Sequence, residues 1–224
     1  MAFAWIGMGS EGRQEQTVRT DQDNGIVFQN VPAEEFDSVQ IWFLEFAEKV
    51  SRSLEICGFP LCEGNIMASN RDLCQNVDGW KSLLSNIIFN PSQQDLTKAT
   101  MYFDFRFIHG RRKLVDEVRD YLFDSLEDHV IFFRNISGSM LSEVRPPIRS
   151  FSWRMYGLTG IEPRKLDLKM EALIPLVAAV RVLALANGVR STHTLERLQQ
   201  CMEKGKMSKS LYDAVYKATT SWCG

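Results

Sequence analysis

The sequence predicts an α/β chain of the α+β kind, with a small mixed sheet flanked by helices over residues 1–124 and a helical bundle over residues 125–224. Three observations predict it. Short apolar runs, Phe3 to Met8 and Gly25 to Phe28, have the length of strands and are bounded by turn-forming residues. Residues 33–57 place Phe36, Val39, Phe43, Phe46, Val50 and Leu54 at spacings of three or four, the signature of an amphipathic helix. Beyond a stretch rich in glycine and proline, residues 136–163, the second half is mostly helix-periodic.

Taken in order, Phe3–Met8 forms the first strand, and Gly9-Ser10 turns the chain into one or two helical turns over Glu11–Thr17, with Ser10 at the N-cap. Thr20-Asp21-Gln22-Asp23-Asn24 leads into the second strand, which Pro32 closes, and the helix of residues 33–57 is expected to pack on the sheet. Gly58-Phe59-Pro60 ends that helix, and a short strand is expected at Asn65–Ala68. Arg71–Asn90 shows helical periodicity, and Pro91 opens a short helical piece. Ala99–Ile108 alternates as a strand, with Tyr102, Asp104 and Arg106 on one face and Phe103, Phe105 and Phe107 on the core face. Residues 111 to about 133 are helical, and the domain boundary is placed on this helix near Asp124. A strand or hairpin is expected at 148–158, then helices at about 168–187, 192–204 and 208–221, with Gly188 and Gly205 as stops.

Bulk properties narrow the function. With 45% hydrophobic and 24% charged residues and a net charge of −2, the chain lacks the basic excess of a general nucleic-acid-binding surface. No apolar stretch is long enough to span a bilayer, since Arg181 interrupts the best candidate, and no secretory signal is present. Cysteines 57, 62, 74, 201 and 223 are scattered without a Cys-x-x-Cys pair and fit reduced thiols of a cytoplasmic protein. The three histidines have no metal-ligand spacing.

The chemistry sits near the start. A glycine-serine turn opening a helix offers free N–H groups that suit a phosphate, although Ser10 also serves simply as a cap. Asp21 and Asp23, two apart in an extended stretch, point to the same side and repel unless a divalent cation lies between them. Hard oxygen ligands, and few of them, suit Mg²⁺. Arg13, one turn into the helix, either reaches a phosphate or is a surface arginine; Arg106 steadies a phosphate or Asp104.

The pattern of a hydrophobic residue, Gly-Ser, about ten residues and Asp-x-Asp resembles the signature of the DNA polymerase beta-like nucleotidyltransferase superfamily. The longer string from Gly9 to Thr17, with Thr20-Asp21-Gln22-Asp23-Asn24, resembles bacterial nucleotidyltransferases related to the uridylyltransferase that modifies the signal protein PII. The second half is similar to that family's helical substrate-binding domain through Asp167-Leu168-Lys169, Pro175-Leu176-Val177, Arg181 to Leu185 and Thr192 to Leu198, with the closing helices incomplete.

The resemblance implies three carboxylates, Asp21, Asp23 and Asp104, that hold two Mg²⁺ ions, with an NTP as substrate and Gly9, Ser10, Arg13 and Arg106 against its phosphates. For Asp104 the alternative is a structural ion pair with an arginine. It further implies an acceptor hydroxyl such as a tyrosine of a PII-like protein, a signalling role, and CBS or cyclic-nucleotide-binding domains elsewhere in a longer polypeptide, of which this chain is expected to be a fragment. A catalytically silent nucleotide sensor and a small-molecule nucleotidyltransferase of the antibiotic-modifying kind are the alternatives. Cys62-Glu63-Gly64-Asn65-Ile66-Met67 matches a family element that either packs or approaches a ligand. Gln16, Thr20 and Asn24 belong to the same string, with no role derivable beyond holding the turn. His109 is expected to be structural or solvent-facing, and Asp128-His129 reverses the His-Asp doublet of a phosphohydrolase. Lys169, Arg181 and Arg197 either face the substrate cleft or are solvated helix charges, the latter being the default.

Overall fold

The structure is a computed structural model that describes residues 1–16, 20–92, 101–143 and 172–220. A four-stranded mixed sheet has the order β3-β2-β1-β4, with β1 at Phe3–Gly7, β2 at Asn24–Phe28, β3 at Cys74–Asn76 and β4 at Arg106–Gly110. Strand β1 runs antiparallel to β2, from Phe3 opposite Phe28 to Gly7 opposite Asn24. It also runs antiparallel to β4, with an irregularity between Trp5 and Ile6. Strands β2 and β3 are parallel, Ile26 opposite Cys74.

That parallel pairing corrects one expectation. Residues 71–90 are not one helix: a 3₁₀ turn at Arg71–Leu73 leads into β3, and α3 begins only at Val77 and ends at Phe89. Helical periodicity is overridden because Cys74-Gln75-Asn76 completes the sheet beside β2, and the Asn76 carboxamide then caps α3 by accepting from Gly79 N at 2.8 Å.

Helix α2, Ala33–Ile56, matches its periodicity and covers one face of the sheet. Phe43 and Ala47 pack on Ile26, Phe28 and Cys74, and the Phe28 and Phe43 rings stack at 5.1 Å. The opposite face is covered by α3, where the Trp80 indole lies against Gly25 and donates to Ile26 O at 2.8 Å. Helix α4, Arg112–Leu126, packs on α3 and β1.

The aromatic segment departs further from expectation. Met101 and Tyr102 end a helical turn, Asp104 N bonds back to Met101 O at 3.1 Å, and extended backbone starts only at Arg106. Strand alternation therefore does not apply before Arg106, and Tyr102, Phe103, Asp104 and Phe105 are all buried. Residues 99 and 100 lie outside the described set, as do most of the helical piece expected after Pro91 and the strand or hairpin expected at 148–158. Asn65–Ala68 is not a strand; Asn65 adopts φ 55° in a turn. The helix expected over residues 111–133 is broken at Asp128 (φ 57°), and α5, Val130–Glu143, follows.

The chain divides into two compact units, Met1–Phe132 with Arg190–His193, and Phe133–Val189 with Thr194–Gly224. In the second unit α6 (Ile174–Ala186), α7 (Thr194–Glu203) and α8 (Lys209–Thr220) follow the expected order. Ala184, Val189 and Cys201 form a small core there. Gly188 and Gly205 take φ of 62° and 68° just past α6 and α7, as the helix stops require.

Candidate functional site

The site grows from the turn after β1 and the approach to β2. Met8 N donates to Asp23 O at 2.9 Å, which clamps the two segments together. A single helical turn, α1 at Gly9–Gly12, starts immediately after Met8, whose backbone, not a Ser10 side chain, occupies the N-cap. Ser10 lies inside the turn, and α1 stops at Gly12, well short of the expected span. Gly9 is required twice over. Its φ is +55°, and a Cβ there would lie 2.8 Å from Asp23 Oδ2. Gly12 is tighter still, because a Cβ would fall 1.6 Å from the carbonyl oxygen of Asp104.

Between residues 21 and 24 alternate side chains divide their work. Gln22 and Asn24 point inward and are buried. The Gln22 amide donates to Ser51 O at 2.9 Å and Phe59 O at 2.8 Å, and Gln22 N donates to Pro60 O at 3.1 Å. Asn24 Oδ1 accepts from Ala68 N at 2.8 Å, and Asn24 N donates to Ile66 O at 3.0 Å. These bonds tie the loop carrying Cys62 to the strand. Gln16 donates to Asp21 O at 2.9 Å. Asp21 and Asp23 take the other side, Asp21 exposed and Asp23 half-buried.

The carboxylates of Asp21 and Asp23 and the Cys62 sulfur converge, their ligand atoms all within 4.8 Å of one another. Burial first, and then the neighbouring Asp21, pushes the Asp23 carboxyl up from 3.8 to about 6, against the opposing pull of a Cys62 hydrogen bond and the Arg13 charge. Burial likewise raises the Cys62 thiol, and its bond to Asp23 raises it further.

Asp104 is not among those converging atoms. It is fully buried, and Arg13 Nη1 donates to its Oδ2 at 2.9 Å while Arg13 Nε donates to Glu15 Oε2 at 2.7 Å. Burial opposes the Arg13 charge, but Asp104 and Glu15 outweigh it and hold the guanidinium more firmly protonated. Arg13 is therefore held by Asp104 and Glu15, and it is not a surface arginine. Arg106 pairs with Glu11 Oε1 at 2.6 Å, not with Asp104. His109 is exposed on β4, and His129 lies against the rings of Phe89 and Phe132.

In the second unit Arg181 and Arg197 are 4% and 2% exposed, which corrects the expectation of solvated helix charges. They share the buried sides of α6 and α7 with Ala184, Leu198 and Cys201. Lys169 lies outside the described residues.

Two features escaped the sequence. Cys62 carries no spacing signal linking it to the acidic pair, and only folding of the 59–68 loop brings it there. The alternative of an Asp104 ion pair with an arginine is the one the structure bears out, but nothing in the spacing singled out Arg13 as that arginine.

A small mixed sheet backed by helices, an Asp-x-Asp pair facing a glycine turn, and a trailing helical unit together describe a nucleotidyltransferase core with a helical domain appended. Residues 1–94 match the family described as "Putative nucleotidyltransferase DUF294", and residues 133–223 match "Putative nucleotidyltransferase substrate binding domain". The chain belongs to this two-domain nucleotidyltransferase family. Neither a curated protein nor a solved structure matches it. Among the described residues no helix is long and apolar enough to cross a membrane.

Proposed function

We propose that the chain transfers a nucleoside monophosphate from an NTP to an acceptor hydroxyl, with release of pyrophosphate. The observation that carries this reading is the approach of the Asp21 and Asp23 carboxylates to within 4.8 Å beside Gly9. Two carboxylates held that close repel each other, and a cation shared between them relieves that repulsion.

The donor set fits a hard divalent ion. Asp21 and Asp23 offer oxygens, and exposure on the Asp21 side leaves room for water and phosphate oxygens, as Mg²⁺ requires. Asp21 and Asp23 would hold the first ion, and Asp104 joins them only if Arg13 releases it. Such ions neutralise triphosphate charge and lower the pKa of an attacking hydroxyl. The remaining work falls to the chain. Gly9 admits Asp23 against the turn, Gln22 and Asn24 fix the acidic pair to the 59–68 loop, and Arg13 and Arg106 place positive charge beside the site for a polyphosphate.

By resemblance to the PII-modifying uridylyltransferases, the acceptor is a hydroxyl of a cytoplasmic signalling protein and the donor UTP or ATP. Incubation with α-labelled NTPs and Mg²⁺ tests the reading. Label on a protein supports it, and label on a small molecule moves the acceptor to the antibiotic-modifying class. Nucleotide binding without pyrophosphate release overturns catalysis in favour of a silent sensor. One observation favours that sensor reading, namely that Asp104 is engaged by Arg13 rather than gathered with the other two acids.

A further inference from the structure

We propose that Asp21, Asp23 and Cys62 form a second kind of metal site, one that captures a thiophilic divalent cation of the Zn²⁺ class through two oxygens and one sulfur. The three ligand atoms come from two separate segments and lie within 4.8 Å of one another. Zinc takes thiolate sulfur at about 2.3 Å and carboxylate oxygen at about 2.0–2.2 Å in a tetrahedron, so its ligand atoms stand roughly 3.6 Å apart. The present separations, 4.8 Å at most, exceed that edge by no more than about 1.2 Å. Three protein ligands with one position left open is the arrangement of an exchangeable zinc site rather than of a closed structural one.

Cys62 reaches the acidic pair from a separate loop. The loop that presents it is anchored on both sides by the Gln22 and Asn24 bonds, so Cys62 is held against the acidic pair. On binding, the thiol proton passes to solvent and the hydrated ion gives up water in exchange for protein ligands.

A hard ion gains nothing from the sulfur, whereas a soft one does. The thiophilic cation therefore displaces Mg²⁺ from Asp21 and Asp23 and inhibits transfer; this consequence, unlike the binding itself, rests on the nucleotidyl-transfer reading.

The test uses Cd²⁺ as probe on the full chain without nucleotide, reading the ultraviolet thiolate-to-cadmium charge-transfer band. We expect one equivalent to produce the band in the parent and in Cys57→Ser, which removes the thiol exposed among the described residues. Cys62→Ser should lose the band and weaken Cd²⁺ binding by at least the roughly 10- to 100-fold that loss of a mere supporting partner costs a metal site. Asp21→Asn should weaken binding while retaining sulfur ligation. A band that survives Cys62→Ser, or is absent from the parent, overturns the proposal even if Mg²⁺-dependent transfer is found. A Cys62-dependent band in a chain that transfers nothing upholds the metal site and removes only the inhibitory consequence.

Discussion

Arg13 Nη1 meets Asp104 Oδ2 at 2.9 Å, an ion pair closed over a carboxylate that has no exposed surface. Breaking a buried pair by removing one partner costs roughly 3–5 kcal/mol. Arg13→Met should lose stability toward that scale in urea unfolding. The Arg13→Met/Asp104→Asn double variant should lose less than the sum of the two single changes, because both remove the same interaction.

The Asp23 carboxyl, pushed up from 3.8 to about 6, ties stability to pH with a definite sign. Between those values the folded chain holds more proton than the unfolded one, so stability is fully present below about pH 4 and declines as pH rises to about 6. In metal-free buffer the melting temperature should fall across that window. Asp23→Asn should flatten the slope and be the more stable protein at neutral pH, by an amount of order 1 kcal/mol. Thermal scans at several pH values check this.

The same Asp23→Asn variant should abolish nucleotidyl transfer while its circular dichroism matches the parent. A variant that is more stable yet inactive is the pattern expected where like charges are held together for binding. For the parent, transfer should decline as pH drops below about 6, because the protonated carboxyl cannot share a cation. Unchanged turnover in Asp23→Asn removes this residue from the mechanism.

Gly12→Ala is expected to be severe. A methyl placed 1.6 Å from the Asp104 carbonyl oxygen has nowhere to go, and the neighbour is backbone. The loss should reach the top of the roughly 1–3 kcal/mol range of overpacked sites or exceed it. Urea midpoints for Gly12→Ala and for Gly138→Ala, whose Cβ would meet nothing within 4 Å, supply the contrast.

Gln22→Leu keeps the bulk but deprives the Ser51 and Phe59 carbonyls of their shared donor. About 1–3 kcal/mol should be lost. Metal affinity should weaken beyond what that loss explains, since the 59–68 loop is released from the acidic pair; calorimetry with Mn²⁺ as probe measures it.

What the sequence revealed follows the range of each signal. The alternation over residues 21–24 is local, and it correctly sends Asp21 and Asp23 to one side, while the burial of Gln22 and Asn24 emerged only in the fold. Helix α2 was equally legible because its apolar stripe repeats over many turns. Alternation misled from Tyr102 to Phe105, where a turn buries consecutive residues regardless of parity. Strand β3 was hidden because three residues show no period, and only the parallel partner in β2 defines them. The role of Arg13 depended on a carboxylate in another segment, and the burial of Arg181 and Arg197 depended on how helices pack; neither leaves a trace in spacing.

The strict parity of residues 21–24 also limits how this site can change over generations. Deleting or inserting one residue there would rotate every side chain by half a pleat, turning carboxylates into the interior and stranding the amides in water. Lineages carrying this chain therefore cannot shorten or lengthen the stretch without losing the acidic pair and its anchors together.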